Sequence, residues 1–194
     1  MTILDVKGDL HAYLRGARET LVWKLDGLGE YDIRRPLTPT GTNLLGLVKH
    51  NAAMEVLYFG EVFGRTHDTS LPWPSGNVEP NADLWAAPDE ARDDIVALYR
   101  SAWELADATI TELPLEAVGR VPWWGNDTVT LHRVLVHVTA ETQRHAGHAD
   151  IIRELIDGSA GLLKGLDNLR FGDRAQWDDF RDRIEAAARL AGGN

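Results

Sequence analysis

Apolar residues recur at three- and four-residue intervals in four stretches of the chain, and each stretch reads as an amphipathic helix. The first runs from Asp9 to about Leu25, with Leu10, Tyr13, Leu14, Ala17, Leu21 and Leu25 on one face, Asp9 as its cap, and Gly27 and Gly29 past its end. Tyr31 to Gly41 contains Pro36 and Pro39 and reads as a loop leading to a second N-terminus at Thr42 or Asn43. That second helix continues to about Phe63. Its residues Gly46, Leu47, His50, Ala53, Met54 and Leu57 share a face, which sets His50 among apolar neighbours. The third helix spans about Asp89 to Leu113, with Ile95, Leu98, Tyr99, Ala102, Leu105, Ala106 and Ile110 as its inner stripe, and Pro114 stops it. After a loop containing Pro122-Trp-Trp-Gly125, the fourth starts at Thr128 or Thr130 and ends at Asp157-Gly158.

Between the second and third helices, Arg65 to Pro88 holds four prolines and two tryptophans but no periodicity. So long a loop inside a compact domain needs a reason, and a crossover is the economical one: it returns the chain along a bundle about 30 Å long. The expected fold class is therefore all-α, an up-down-down-up four-helix bundle with a long crossover between helices two and three and a short C-terminal helical extension. Residues 1–158 form the bundle in this reading, and 159–194 form the extension packed on it. Leu162, Leu163, Leu166 and Leu169 lie in the extension's loop, and Trp177, Phe180, Ile184, Ala188 and Ala191 edge its helix.

The fourth helix carries the chemistry. His137, Glu141, His145 and His148 fall within an arc of roughly 80° and share it with Val134, Val138, Ile152 and Leu155, so the polar stripe is expected on the buried face. Burying such groups costs free energy unless they are paired or bound to a metal. Glu141 and His145 stand at i and i+4, as do His137 and Glu141, and side chains at that spacing can bind one ion. A third ligand from a facing helix would complete a site with open positions for water or substrate, the pattern of a catalytic metal centre. His50 is the histidine on the inner face of helix two. It lies about 12 Å along that helix, and the Glu141/His145 pair lies roughly 18 to 24 Å from the end of helix four, levels near enough to meet if the two run antiparallel.

Composition narrows the setting. With 30 acidic against 20 basic residues the formal charge is -10, which disfavours nucleic acid and anionic membrane surfaces, and no basic patch is visible. Cysteine is absent, which removes disulfides, thiolate metal sites and a cysteine nucleophile and fits a cytoplasmic protein. No apolar run approaches the ~20 residues of a membrane span, and the N-terminus does not read as a signal peptide.

A single inner His on helix two, followed by His137-x3-Glu141-x3-His145-Ala-Gly-His148-Ala-Asp-Ile on the last long helix, resembles the DinB/YfiT-like superfamily of four-helix metalloproteins. More narrowly it is similar to actinobacterial members of unknown function and to mycothiol-dependent maleylpyruvate isomerase. The resemblance covers roughly residues 5 to 157. It implies a divalent metal on His50, Glu141 and His145, with glutamate as the middle ligand where most of the superfamily has histidine. Zinc is the first expectation, and nickel or iron(II) also suits two histidines and a carboxylate. It further implies a low-molecular-weight thiol cosubstrate of the mycothiol type, and S-transfer or thiol-assisted isomerisation of a small electrophile. The alternative is a non-catalytic metal-binding or stress-related protein of the same fold.

Other residues take secondary places. His137 could orient the Glu141 carboxylate or be a packed histidine, and His148 could handle protons or sit at the surface. Trp123 and Trp124 are expected at the opposite end of the bundle as packing residues, whereas Trp73, Trp85, Arg34 and Arg35 lie towards the proposed site. His11, His67 and His132 have no partner at useful spacing. The partner expected is a small-molecule substrate, with a homodimer compatible with the fold.

Overall fold

The computed structural model describes residues 5–66, 79–125, 127–167, 169 and 172–193. It is mostly helical, with one two-stranded sheet, and divides into two compact units, Met1–Ala160 and Gly161–Asn194. Helix α1 runs Val6–Trp23, α2 Glu30–Arg34, α3 Leu44–Glu55, α4 Arg92–Glu112, α5 Leu131–Asp157 and α6 Arg174–Gly192. The predicted second, third and fourth helices are thus α3, α4 and α5. No helix among the described residues is long and apolar enough to cross a membrane.

Helix ends follow side-chain chemistry that periodicity places only approximately. Asp5, not Asp9, caps α1, its carboxylate accepting from the Gly8 N–H at 2.9 Å. Asn43 caps α3 by accepting from Gly46, and Thr130 caps α5 by accepting from Arg133. Gly158 ends α5 at φ 78°, in the left-handed region that favours glycine. Two stretches expected as loops are ordered elements. Glu30–Arg34 forms a single helical turn anchored by the fully buried Ile33, and Pro36 prevents it from extending. Val118–Val121 (β1) and Asp127–Thr130 (β2) form an antiparallel hairpin around Pro122–Trp124. Gly119 pairs with Val129, and a Cβ there would fall 2.6 Å from a Val62 methyl, so only glycine lets the hairpin lie this close to the end of helix two.

Beyond Glu55, α3 widens into a π turn, Val56–Gly60, and tightens into a 3-10 turn, Glu61–Phe63. The contacts of this extended helix with α5 define its direction. His50 meets His145, and Tyr58 meets His137, so one helix advances as the other retreats.

The apolar interior of the first unit falls into two clusters. Leu21, Leu25, Ile33, Leu45, Val48, Ile95 and Ile152 form one, and Leu14, Phe59, Val62, Ile110, Val121, Leu131 and Val134 the other. Arg18 lies between Leu14 and Leu21 on α1, and Glu55 between Ala52 and Phe59, so an ionic layer separates the two. Arg18 Nε and Nη2 donate to the two Glu55 oxygens at 2.7 and 2.6 Å, and both residues are at most 1 % exposed. Burial pushes the Glu55 carboxyl up to about 7, against the pull of Arg18. Arg18 Nη1 also donates to Asp107 at 2.6 Å, and Asp107 bonds His11 at 2.7 Å, which ties α1 to both α3 and α4.

In the second unit, α6 is capped by Asp173 and presents no buried residue; Trp177 and Phe180 meet edge to face, 5.9 Å between centroids.

Arg18→Met should cost about 3–5 kcal/mol in urea unfolding, because it leaves a buried carboxyl without its partner. Arg18→Met/Glu55→Met should recover most of that loss. A single variant as stable as the parent would show that the layer is not a stability determinant.

Candidate functional site

The site is assembled on the first turns of α3. Asn43 both caps the helix and, through its amide nitrogen, donates to the carbonyl of Leu84 at 3.1 Å. Three residues on, Gly46 gives the room this requires: a Cβ would lie 1.9 Å from the Leu84 oxygen. Lys49 Nζ then donates to the carbonyl of Trp85 at 2.9 Å and pairs with Glu90 at 2.7 Å. These contacts lay the described residues that precede α4, including the 3-10 turn Ala82–Leu84, along α3. Asp83 thereby reaches His50, its Oδ2 lying 2.6 Å from the imidazole Nδ1.

Across the seam with α5, the rings of His50 and His145 meet at 4.9 Å between centroids and 76°. His145 Nε2 lies 3.8 Å from Glu141 Oε2, and the ring of His148 is 5.7 Å from that of His145. His145 Nδ1 is buried without a hydrogen-bond partner among the described residues. Burial holds the His145 imidazole down to about 4, aided by His50 and opposed by Glu141, so at neutral pH it is an uncharged ring with a lone pair to offer. A cavity of about 380 Å³ opens on His145 and His148, with Thr40, Thr42, Asn81 and Trp85 among its walls.

The structure therefore places His50 and Glu141 each against His145, but not on the buried face. The core side of α5 is Val134, Val138, Thr142, Ala149 and Ile152; the polar stripe flanks it, since neighbouring residues are about 100° apart around a helix. The Glu141 side chain is 41 % exposed, His148 is exposed, and Leu155, expected inside, is 64 % exposed. A position at the edge of the bundle suits a site that small molecules must enter.

His137 belongs to another cluster, its Nε2 3.2 Å from the Tyr58 hydroxyl and its ring packed edge-on against Trp124. Tyr58 also accepts from Trp123 Nε1 at 3.1 Å. Arg34 is occupied by Glu30 and by the carbonyls of Ala87 and Glu90, and Arg35 by Asp32. Trp73 and His67 lie outside the described residues. Sequence reasoning missed Asp83, Tyr58 and the Arg18–Glu55 pair. Asp83 sits in an aperiodic segment 33 residues from its partner, and no local pattern marks it.

The donor set, two imidazole nitrogens and a carboxylate, is chemically suited to a divalent metal. Among the described residues, however, no three His, Asp or Glu side chains are grouped so as to hold an ion as they stand. His145 meets His50 on one side and Glu141 on the other, and a common ligand would require the three to draw together.

Residues 9–158 match the family model described as Mycothiol-S-transferase. The chain belongs to that family. It lies in the DinB/YfiT-like superfamily, and the match spans α1 to α5 and ends before α6. The crystal structure of a conserved protein from Enterococcus faecalis is similar in fold, with a TM-score of 0.57 over 81 % of this chain and 100 % of that one, at 16 % identity. No curated protein matches the chain.

In chelator-treated protein, His145 gives stability a predictable pH dependence. Its folded value, about 4, lies below the ordinary 6.5, so the unfolded chain binds more protons between the two. The contribution of His145 should be complete above about pH 6.5 and decline as pH falls towards 4. Urea midpoints across that window should show a shallower slope for His145→Gln; identical slopes would exclude this assignment.

Proposed function

We propose that the chain binds a divalent metal through His50, Glu141 and His145 and transfers a thiol of the mycothiol type to a small electrophile. Family membership, the contacts of His145 with His50 and with Glu141, and the cavity that opens on His145 and His148 support this reading. It takes the bundle to run up-down-down-up. The crossing of α3 and α5 at His50/His145 and Tyr58/His137, and the bond from Thr109 on α4 to the Phe59 carbonyl, fit that arrangement.

A divalent ion there supplies Lewis acidity, lowering the pKa of a thiol brought beside it. The protein's residues do the rest. Asp83 holds Nδ1 of His50, and burial keeps His145 neutral, so the His145 ring offers a lone pair at neutral pH. Thr40, Thr42, Asn81 and Trp85 give the cavity neutral polar and aromatic walls to orient thiol and electrophile. His148, also on the cavity, accepts the proton that the thiol loses as its sulfur bonds to carbon and the electrophile's leaving group departs or its epoxide ring opens. The absence of cysteine from the chain is compatible with a borrowed thiol.

The alternative is a non-catalytic metal-binding or stress-related protein of this fold. One observation favours its metal-free form, namely that among the described residues no three His, Asp or Glu side chains are grouped so as to hold an ion.

Elemental analysis should find about one divalent ion per chain, zinc before nickel or iron, and His50→Ala or Glu141→Ala should lose it. Unchanged metal content in both variants would remove the assignment. Thiols screened against chlorinated and epoxide electrophiles should then show turnover that a chelator abolishes; binding without turnover favours the alternative.

A further inference from the structure

We propose that Asp83 is a positioning residue for the metal site, fixing the tautomer and orientation of His50 so that Nε2 points to the ion. The proposal rests on the metal reading above.

The geometry carries it. Asp83 Oδ2 lies 2.6 Å from His50 Nδ1, a charge-assisted distance. A carboxylate accepts from a ring N–H, so this pairing puts a proton on Nδ1 and leaves Nε2 as the nitrogen available to a metal. The side chains of His50 and Asp83 are 18 % and 26 % exposed, which limits competition from water. His145, whose ring lies 4.9 Å away, then faces a histidine whose rotation is set.

Asp83 is also held independently of His50. Its turn is fastened to α3 by Asn43 on the Leu84 carbonyl, by the missing Cβ of Gly46 beneath that oxygen, and by Lys49 on the Trp85 carbonyl. Three contacts on the residues just after Asp83 make the carboxylate part of the scaffold. A surface ion pair would need none of them. The arrangement is that of a carboxylate behind a metal-binding histidine, where loss of the carboxylate typically weakens metal binding 10–100-fold.

The test uses the full chain, cobalt(II) alone and a competing chelator, comparing the wild type with His50→Ala, Asp83→Asn and Asp83→Glu. Asp83→Asn should bind cobalt roughly 10–100-fold more weakly at an unchanged melting temperature, and Asp83→Glu should restore part of the affinity. Wild-type affinity in Asp83→Asn, with binding lost in His50→Ala, would overturn the positioning role and leave the metal site standing. Wild-type affinity in His50→Ala, or no binding by the wild type, would overturn the metal reading and this proposal with it. Nitrogen-15 NMR of the metal-free wild type gives a readout independent of any variant's folding: a proton on His50 Nδ1 supports the role, and a proton on Nε2 sinks it.

Discussion

The fit of Leu84 and Trp85 against the start of α3 is the contact on which the rest of the site depends. It is a steric permission before it is an attraction, since the Leu84 carbonyl occupies the space where any side chain at position 46 would begin. Once that approach is allowed, polar groups on α3 satisfy the crossover's backbone, the Asn43 amide on Leu84 and the Lys49 ammonium on Trp85. The residues around the short 3-10 turn Ala82–Leu84 are thus held through their carbonyls. The cavity walls at Asn81 and Trp85 share that origin.

The ionic layer has a different effect. An arginine and a carboxylate inside a helical bundle add little net stability once desolvation is counted, but they fix level, because each must find the other or remain uncompensated. Arg18 reaches Glu55 on α3 and Asp107 on α4, so the relative heights of three helices are set by one side chain. Arg153 secures the other end of α1, donating from α5 to the carbonyls of Lys24 and Asp26. With the helices held at these heights, His50 and His145 arrive at the same level.

How much of this could be read from the sequence depended on the range of each interaction. The long helices were legible because their apolar residues repeat locally, and Glu141 and His145 because one helix carries both. His50 was expected on helix two's inner face, but it is only partly buried there and meets His145 at the edge of the core. The stripe's orientation was read one residue out of phase, since Thr142 and Ala149, small and weakly hydrophobic, in fact face the core. The hairpin strands, four residues each, are too short for alternation to register, and Ile33 gives no warning that it anchors a turn. Asp83 was beyond reach for a stronger reason. Its role arises from a glycine, an asparagine and a lysine on another element, and nothing in its own neighbourhood encodes it.

The π turn at Val56–Gly60 separates two obligations of one helix. Before it, α3 must present His50 to His145; from within it the same rod must present Tyr58 to His137, and beyond it receive the hairpin at Val62. His50 and Tyr58 are eight residues apart (58 − 50), and a uniform α-helix would leave them about 80° out of alignment. A wider turn advances less per residue and takes up part of that angle. It works as a phase adjustment between two gear trains on one shaft: the aromatic end can settle its own angular position while the end carrying His50 keeps the one set by the crossover.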